Sequence, residues 1–248
     1  MPVGWVRWFK VFAMALFPTL ASFPAESVIG SDFPVDLTPV IQKCISRNIT
    51  PIGKSRQLVL ATNRDRLSVL VTIQALEKTR GFWQPVFPPF VGSIGEKGFA
   101  AIDEKREGDG KSPSGIFRLG AAFGYLPSVV TKMPYRQATN DDYWVDDVNS
   151  ADYNKWVKGK PSAASWERMK REDDQYKYGI VIEYNTNPVI KGKGSAIFLH
   201  VWKDGKPTAG CVAMSEEIVL KILAWLDPAK EPLIIMGTEG ELCATSSP

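Results

Sequence analysis

The chain has 248 residues, 44% of them hydrophobic and 23% charged, with a formal net charge of +3, three cysteines and one histidine. That length and mixture suit one domain with an ample core and exclude a globally disordered chain or a polytopic membrane protein. A single imidazole rules out any site that needs two or three, and three cysteines cannot build a disulfide framework.

The chain opens with Arg7 and Lys10, then a short apolar run over residues 11–20 and small residues up to Ala25. This order predicts a secretory signal peptide over residues 1–25, since the run is about half of the roughly 20 apolar residues a membrane span needs. Left uncleaved, that segment is the one membrane attachment the sequence offers. Without it the net charge falls to +1, and no basic run remains to suggest nucleic acid. An oxidising compartment favours one bridge and one leftover thiol. Cys44 and Cys243 sit in polar surroundings near the two ends, so they are the expected pair, and Cys211 stays free.

Residues 26–56 are polar and turn-rich and read as an N-terminal extension. Residues 57–62 read as a strand, with a turn and a hairpin partner over 67–76. Residues 82–91 alternate aromatics with prolines, as an edge or irregular strand does. Another short strand is expected at 99–102. Residues 125–177 mix tyrosine and tryptophan with many aspartates and show weak periodicity, apart from a helix expected near 163–171. A long segment of this kind is either a functional cap or a solvated insertion. Strands are then expected at 178–184, 194–202 and 233–236. Between the last two, Ser215 suits an N-cap, Glu216 and Glu217 suit the positive end of a helix dipole, and Ile218 to Leu226 carry a helical stripe. The fold class is mainly β with minor α, a single domain over residues 57–240.

Several apparent motifs carry no chemistry. Gly108-Asp-Gly-Lys-Ser112 ends like a phosphate-binding loop, but Lys105 stands where its first glycine is required. The glycines at 92, 95 and 98 do not match the dinucleotide pattern, and the aspartates lack calcium-loop order. No cofactor or metal is expected.

The informative stretch runs from His200 to Met214. The only histidine ends an apolar strand, and Cys211 follows a Lys-Asp-Gly-Lys-Pro turn; a hairpin of that length brings both side chains onto one rim. A thiol is mostly protonated at neutral pH, and an adjacent imidazole can take its proton. Ala209 and Gly210 leave backbone N–H groups open to an oxyanion.

Thr-Ala-Gly-Cys-Val-Ala-Met at residues 208–214, downstream of His200, resembles the active-site signature of the YkuD-type L,D-transpeptidases. Pro-Ser-Gly-Ile-Phe at 113–117 is similar to a segment earlier in the same domain, and the resemblance covers residues 57–237. It implies a β-sandwich-like catalytic fold in a secreted bacterial enzyme, periplasmic or wall-associated, whose partners are peptidoglycan stem peptides. Cys211 would be the nucleophile and His200 the general base. The Gly210 and Cys211 N–H groups would form the oxyanion hole, with Thr208 shaping the turn.

Four departures mark this chain within that resemblance. Ala209 stands where most members have a second histidine, and Ala213 where an arginine is common. The histidine-to-cysteine spacing is short, and Val201 replaces a small residue. The segment 125–177 would then act as a cap that supplies recognition. Asp146 and Asp147 are placed to receive a cationic amine, and Tyr153 and Trp202 are further candidate substrate contacts. The reactions left open are transfer to an amine, hydrolysis by the same acyl-enzyme, and non-catalytic wall binding. Non-reducing peptide mapping of the mature protein should yield a Cys44–Cys243 pair with Cys211 as free thiol; a native bridge to Cys211 would overturn the pairing.

Overall fold

In the computed structural model, residues 48–203 and 205–242 are described, with Met1, Gln42, Ile45 and Ser46. The expected leader beyond Met1, and both Cys44 and Cys243, lie outside these residues. The architecture is mainly β, as expected. Among the described residues no helix is long and apolar enough to cross a membrane.

One large sheet carries most of the chain. Its strands are β1 (Gln57–Asn63), β2 (Leu70–Thr79), β3 (Phe82–Pro85), β4 (Phe90–Ser93), β5 (Gly115–Gly124), β6 (Tyr135–Gln137), β10 (Tyr178–Ile182), β11 (Phe198–Val201), β12 (Val212–Met214) and β13 (Leu233–Thr238). They run in the order β1-β13-β5-β10-β11-β12-β4-β2-β3, and β1 also pairs with β2, so the sheet closes on itself. β6 adds to β5. β1 is parallel to β13 and antiparallel to β2, which explains why its Leu-Val-Leu-Ala run is apolar on both faces. The turn after β1 is held by the Asp65 carboxylate, which accepts from Leu67 N at 3.0 Å, so the second strand starts at Leu70 rather than Leu67.

β5 is central and was not expected from the sequence. Three glycines and the exposed Arg118 break its apolar alternation. At Gly124 the reason is a close approach: a Cβ there would lie 2.5 Å from the Lys177 carbonyl oxygen. The strand expected at 99–102 reduces to a single bridge, Phe99 to Ser112.

Helix α1 (Ile49–Ile52) precedes β1, and α3 (Glu239–Leu242) follows β13. Helix α2 (Glu216–Trp225) follows the predicted stripe, burying Val219, Ile222 and Leu223 toward β10 and β11. Ser215 occupies the N-cap position but makes no side-chain cap bond. The first-turn acids are used in ion pairs instead: Glu216 with Lys177 at 2.8 Å and Glu217 with Lys221 at 2.6 Å. A short 3-10 turn, Pro228–Lys230, follows the helix.

The segment 125–177 holds a second sheet. β7 (Asp142–Val145) lies between β8 (Lys155–Lys158) and β9 (Trp166–Arg168), all antiparallel. The helix expected near 163–171 is therefore a strand. Its aromatic residues pack across β7 and onto the large sheet, and that tertiary packing overrides a weak local preference. Trp144 meets Phe198 edge-on at 4.9 Å, and Phe123 meets Trp156 at 5.8 Å and Tyr176 at 5.9 Å. Such pairs contribute about 0.5–1.5 kcal/mol each beyond their burial.

Asp142 is the polar anchor of this small sheet. Its buried carboxylate accepts from Trp156 Nε1 at 2.8 Å and from the Thr139 hydroxyl and amide at 2.5 and 2.9 Å. Burial alone would raise its pKa; the bonds from Thr139 and Trp156 and the charge of Lys158 overcome that and hold it at about 2. Since the folded pKa lies below the unfolded one, the stabilisation is complete above about pH 4 and is lost as pH falls toward 2. Asp142→Asn should therefore lower stability at pH 7 by about 2–3 kcal/mol, and the gap to wild type should narrow in that acid window. Urea unfolding at several pH values tests this; an equal gap at all pH values would contradict it.

Candidate active site

Strands β11 and β12 pair in parallel, with Leu199 opposite Val212, His200 opposite Ala213 and Val201 opposite Met214. The expected hairpin is thus replaced by a crossover. Residues 202–211 must travel back along β11 before β12 begins, which sets Cys211 beside Phe198 rather than beyond His200. The Phe198 N–H donates to the Cys211 sulfur at 3.3 Å, and the thiol faces the Ala196 carbonyl oxygen at 3.2 Å.

Backbone and hydroxyl bonds pin the returning loop. Thr208 N donates to Ile94 O at 2.9 Å, and Glu96 N donates to Thr208 O at 2.7 Å. Thr208 Oγ1 donates to Cys211 O at 2.8 Å and accepts from Gly210 N at 3.1 Å. Ser112, fully buried, donates from Oγ to Gly210 O at 2.6 Å and accepts from Gly95 N at 3.0 Å. Gly210 has φ of +154°, and a Cβ there would sit 3.0 Å from the Lys111 carbonyl oxygen. Only glycine meets both demands. On the opposite side Ala196 adopts a left-handed φ of +53°, held by its N–H bond to Asn154 Oδ1 at 3.1 Å. Trp144 Nε1 donates to the same oxygen at 2.9 Å, so the small sheet also sets the carbonyl that the thiol faces.

Cys211 and His200 line one cavity of about 420 Å³ together with Thr208, Ala209 and Gly210. His200 is buried, and its Nδ1–H donates to Val201 O at 2.9 Å, which leaves the lone pair on Nε2. Burial pulls the imidazole pKa down to about 4, with Arg171 adding to the effect and the Val201 and Gln175 carbonyls opposing it. Burial likewise pushes the Cys211 thiol up to about 12, helped by Glu167 and opposed by Phe198 N–H, Arg171 and Tyr176. At neutral pH the pair therefore rests as thiol and imidazole, not as an ion pair.

The small sheet and the segment after it contribute Asp146, Glu167, Arg171, Gln175 and Tyr176 to the same cavity. Of the expected substrate contacts, Asp146 alone lines it. Asp147 accepts from Ala164 N and Asn149 N at 2.8 and 2.9 Å, as a loop brace. Tyr153 is buried behind the wall and donates to the lining residue Glu107 at 2.5 Å. Trp202 turns away, with Nε1 on Lys206 O at 2.8 Å. Sequence reasoning missed Ser112, Glu107, Glu167 and Arg171, whose approach to the cysteine depends on strand order and on no local motif. Among the described residues, no histidine, cysteine, aspartate and glutamate side chains are grouped to hold a metal ion.

Residues 70–235 match the YkuD model, the L,D-transpeptidase catalytic domain. The chain belongs to that family. No curated protein matches it. Among solved structures, the helical cell shape determining protein Pgp2 from Campylobacter jejuni is similar at 18% identity and a TM-score of 0.39, over 79% of this chain and 55% of that one. The chain thus spans about half the length of Pgp2. This member of the YkuD family carries the Gly-Cys motif on a buried site with a protonated thiol and a neutral imidazole.

The buried thiol should react slowly with small electrophiles. At pH 7.5, iodoacetamide should alkylate Cys211 at least about 100-fold more slowly than a free exposed thiol, because little thiolate is present. Timed labelling read on the Cys211 peptide checks this; labelling as fast as free thiol would contradict the protonated resting state.

Proposed function

We propose that this family member is a peptidoglycan L,D-transpeptidase that acts outside the cytoplasmic membrane. Cys211 would form a thioester with a stem peptide and pass the acyl group to an amine of another stem. The observation that carries this reading is the placement of a protonated thiol and a neutral imidazole, with its lone pair on Nε2, in one cavity walled by the Thr208–Cys211 turn.

The first half-reaction balances within these groups. As the Cys211 sulfur attacks the carbonyl carbon at the L,D bond, its proton moves to His200 Nε2. Of the two N–H groups expected to form the oxyanion hole, that of Gly210 is already engaged by Thr208 Oγ1, which leaves the Cys211 N–H for the role. Collapse breaks the C–N bond, and His200 returns the proton to the departing amine. The thioester then remains, and His200 is neutral again. Ser112, through Gly210 O, holds the turn in register for this attack. The cavity carboxylates Glu107 and Asp146 suit a cationic stem-peptide amine, which favours an amine acceptor over water.

Incubation of the mature protein with disaccharide-tetrapeptide, followed by mass spectrometry, separates the outcomes. A Cys211 adduct and a cross-linked dimer are expected; bare tripeptide would mean hydrolysis, and binding with no adduct would mean a wall-binding module. Cys211→Ala should abolish turnover, and His200→Gln should lower kcat by about 10²–10⁴-fold. Because protonating His200 removes the base, the acid limb of kcat/KM in the wild type should fall near pH 4 and not near 6.5. Undiminished turnover in either variant refutes the mechanism.

A further inference from the structure

Acyl transfer to an incoming nucleophile poses a second proton problem. The attacking nitrogen must lose a proton, and the departing sulfur must gain one. In the first half-reaction His200 takes the thiol proton and gives it back to the leaving amine. Another set of groups in the same cavity is arranged for the second.

Tyr176 is 4% exposed, and its hydroxyl donates a hydrogen bond to Glu167 Oε2. Its ring packs edge-on against Phe198 at 5.4 Å and His200 at 5.2 Å, the Phe198 N–H donates to the Cys211 sulfur at 3.3 Å, and Tyr176, Glu167 and Cys211 line one cavity. The hydroxyl is thus held on a carboxylate in the cavity that also holds the thiol. Arg171 lies 5.0 Å over the Tyr176 ring and is itself fixed by two bonds to Asp173, at 2.9 and 2.6 Å. Burial keeps the Glu167 carboxyl above the ordinary carboxylate range, with Asp146 and Glu107 adding to the effect and Tyr176 and Arg171 opposing it. A carboxylate so placed is a better proton acceptor than an exposed one.

We propose that Tyr176 and Glu167 form a proton relay for deacylation, with the Tyr176 hydroxyl passing the proton within the shared cavity and Glu167 as the group that holds it. This rests on the thioester reading above. In the forward step the nucleophile's nitrogen, or a water oxygen, bonds to the thioester carbon. Its proton passes to Tyr176 Oη while the Tyr176 proton passes to Glu167. The C–S bond then breaks, and the same path in reverse delivers the proton to the Cys211 sulfur. One proton leaves the nucleophile and one reaches sulfur, so Glu167 and Tyr176 end as they began.

The test follows acylation and turnover separately, using disaccharide-tetrapeptide, intact-mass detection of the Cys211 adduct and quantified products. Tyr176→Phe keeps the ring packing, and Glu167→Gln keeps an acceptor for the tyrosine while losing the ability to hold the proton. Each variant should acylate within about threefold of wild type, turn over at least about 30-fold more slowly and accumulate the thioester. Glu167→Asp should recover part of the lost turnover. A structural defect would instead slow both half-reactions together, and that result overturns the relay, as does turnover at the wild-type rate in either variant. Should Tyr176→Phe fail to fold, Glu167→Gln alone decides. Absence of any wild-type adduct overturns the thioester reading and the relay with it, whereas a wild-type adduct with unslowed variants overturns the relay alone.

Discussion

The parallel pairing of β11 with β12 governs the site. Parallel neighbours cannot be joined by a tight turn, so residues 202–211 must double back before β12 can start. The cysteine at the end of that loop is then delivered to the beginning of β11, against Phe198, and the histidine two residues further along the strand reaches the same cavity. An antiparallel hairpin would have placed Cys211 well past the end of β11. The cost of a parallel crossover this short is a loop with little internal structure. The bonds to Ser112, Ile94 and Glu96 meet that cost by tying loop backbone to neighbouring segments, and Thr208 Oγ1 braces the turn from within.

Burial follows from the same arrangement and sets the chemistry. With Cys211 and His200 both almost closed to solvent, the charged form of either group loses hydration that nothing in the resting cavity replaces. Thiol and imidazole are each driven toward neutrality. A thiol in this state is protected from small oxidants and electrophiles, and in the proposed mechanism proton transfer to Nε2 would have to accompany attack on a bound carbonyl.

The sequence made the chemistry easier to read than the topology. His200 and Cys211 stood out because they sit within a dense, glycine-containing motif after an apolar strand. Helix α2 and strands β1, β10 and β13 showed their periodicity or their continuous apolar runs plainly. β5 did not, because glycines demanded by close neighbours, as at Gly124, dilute the pattern that marks a strand. The β7-β8-β9 sheet was equally hidden: its strands are only three or four residues long, and its stabilisation comes from aromatic and Asp142 contacts over long separations. The hairpin expectation failed for a related reason, since local spacing carries no information on whether two strands run parallel or antiparallel.

The small sheet is tied structurally to the candidate site. Trp144 and the Ala196 N–H share one acceptor, Asn154 Oδ1, so the position of the cap is coupled to the strained residue whose carbonyl faces the thiol. The same unit supplies Asp146 to the cavity rim and, through β9 and the segment after it, Glu167, Arg171 and Tyr176. Most YkuD-type motifs resembling this one carry a histidine and an arginine where Ala209 and Ala213 stand here. Ala213 is buried in β12 with no room to reach substrate, and Ala209 is exposed on the loop. Polar groups absent from the motif are thus matched by polar groups arriving from the inserted sheet. In the proposed function the insertion would therefore supply the recognition groups, while the β11–β12 core, the turn glycine and Ser112 hold the thiol in place.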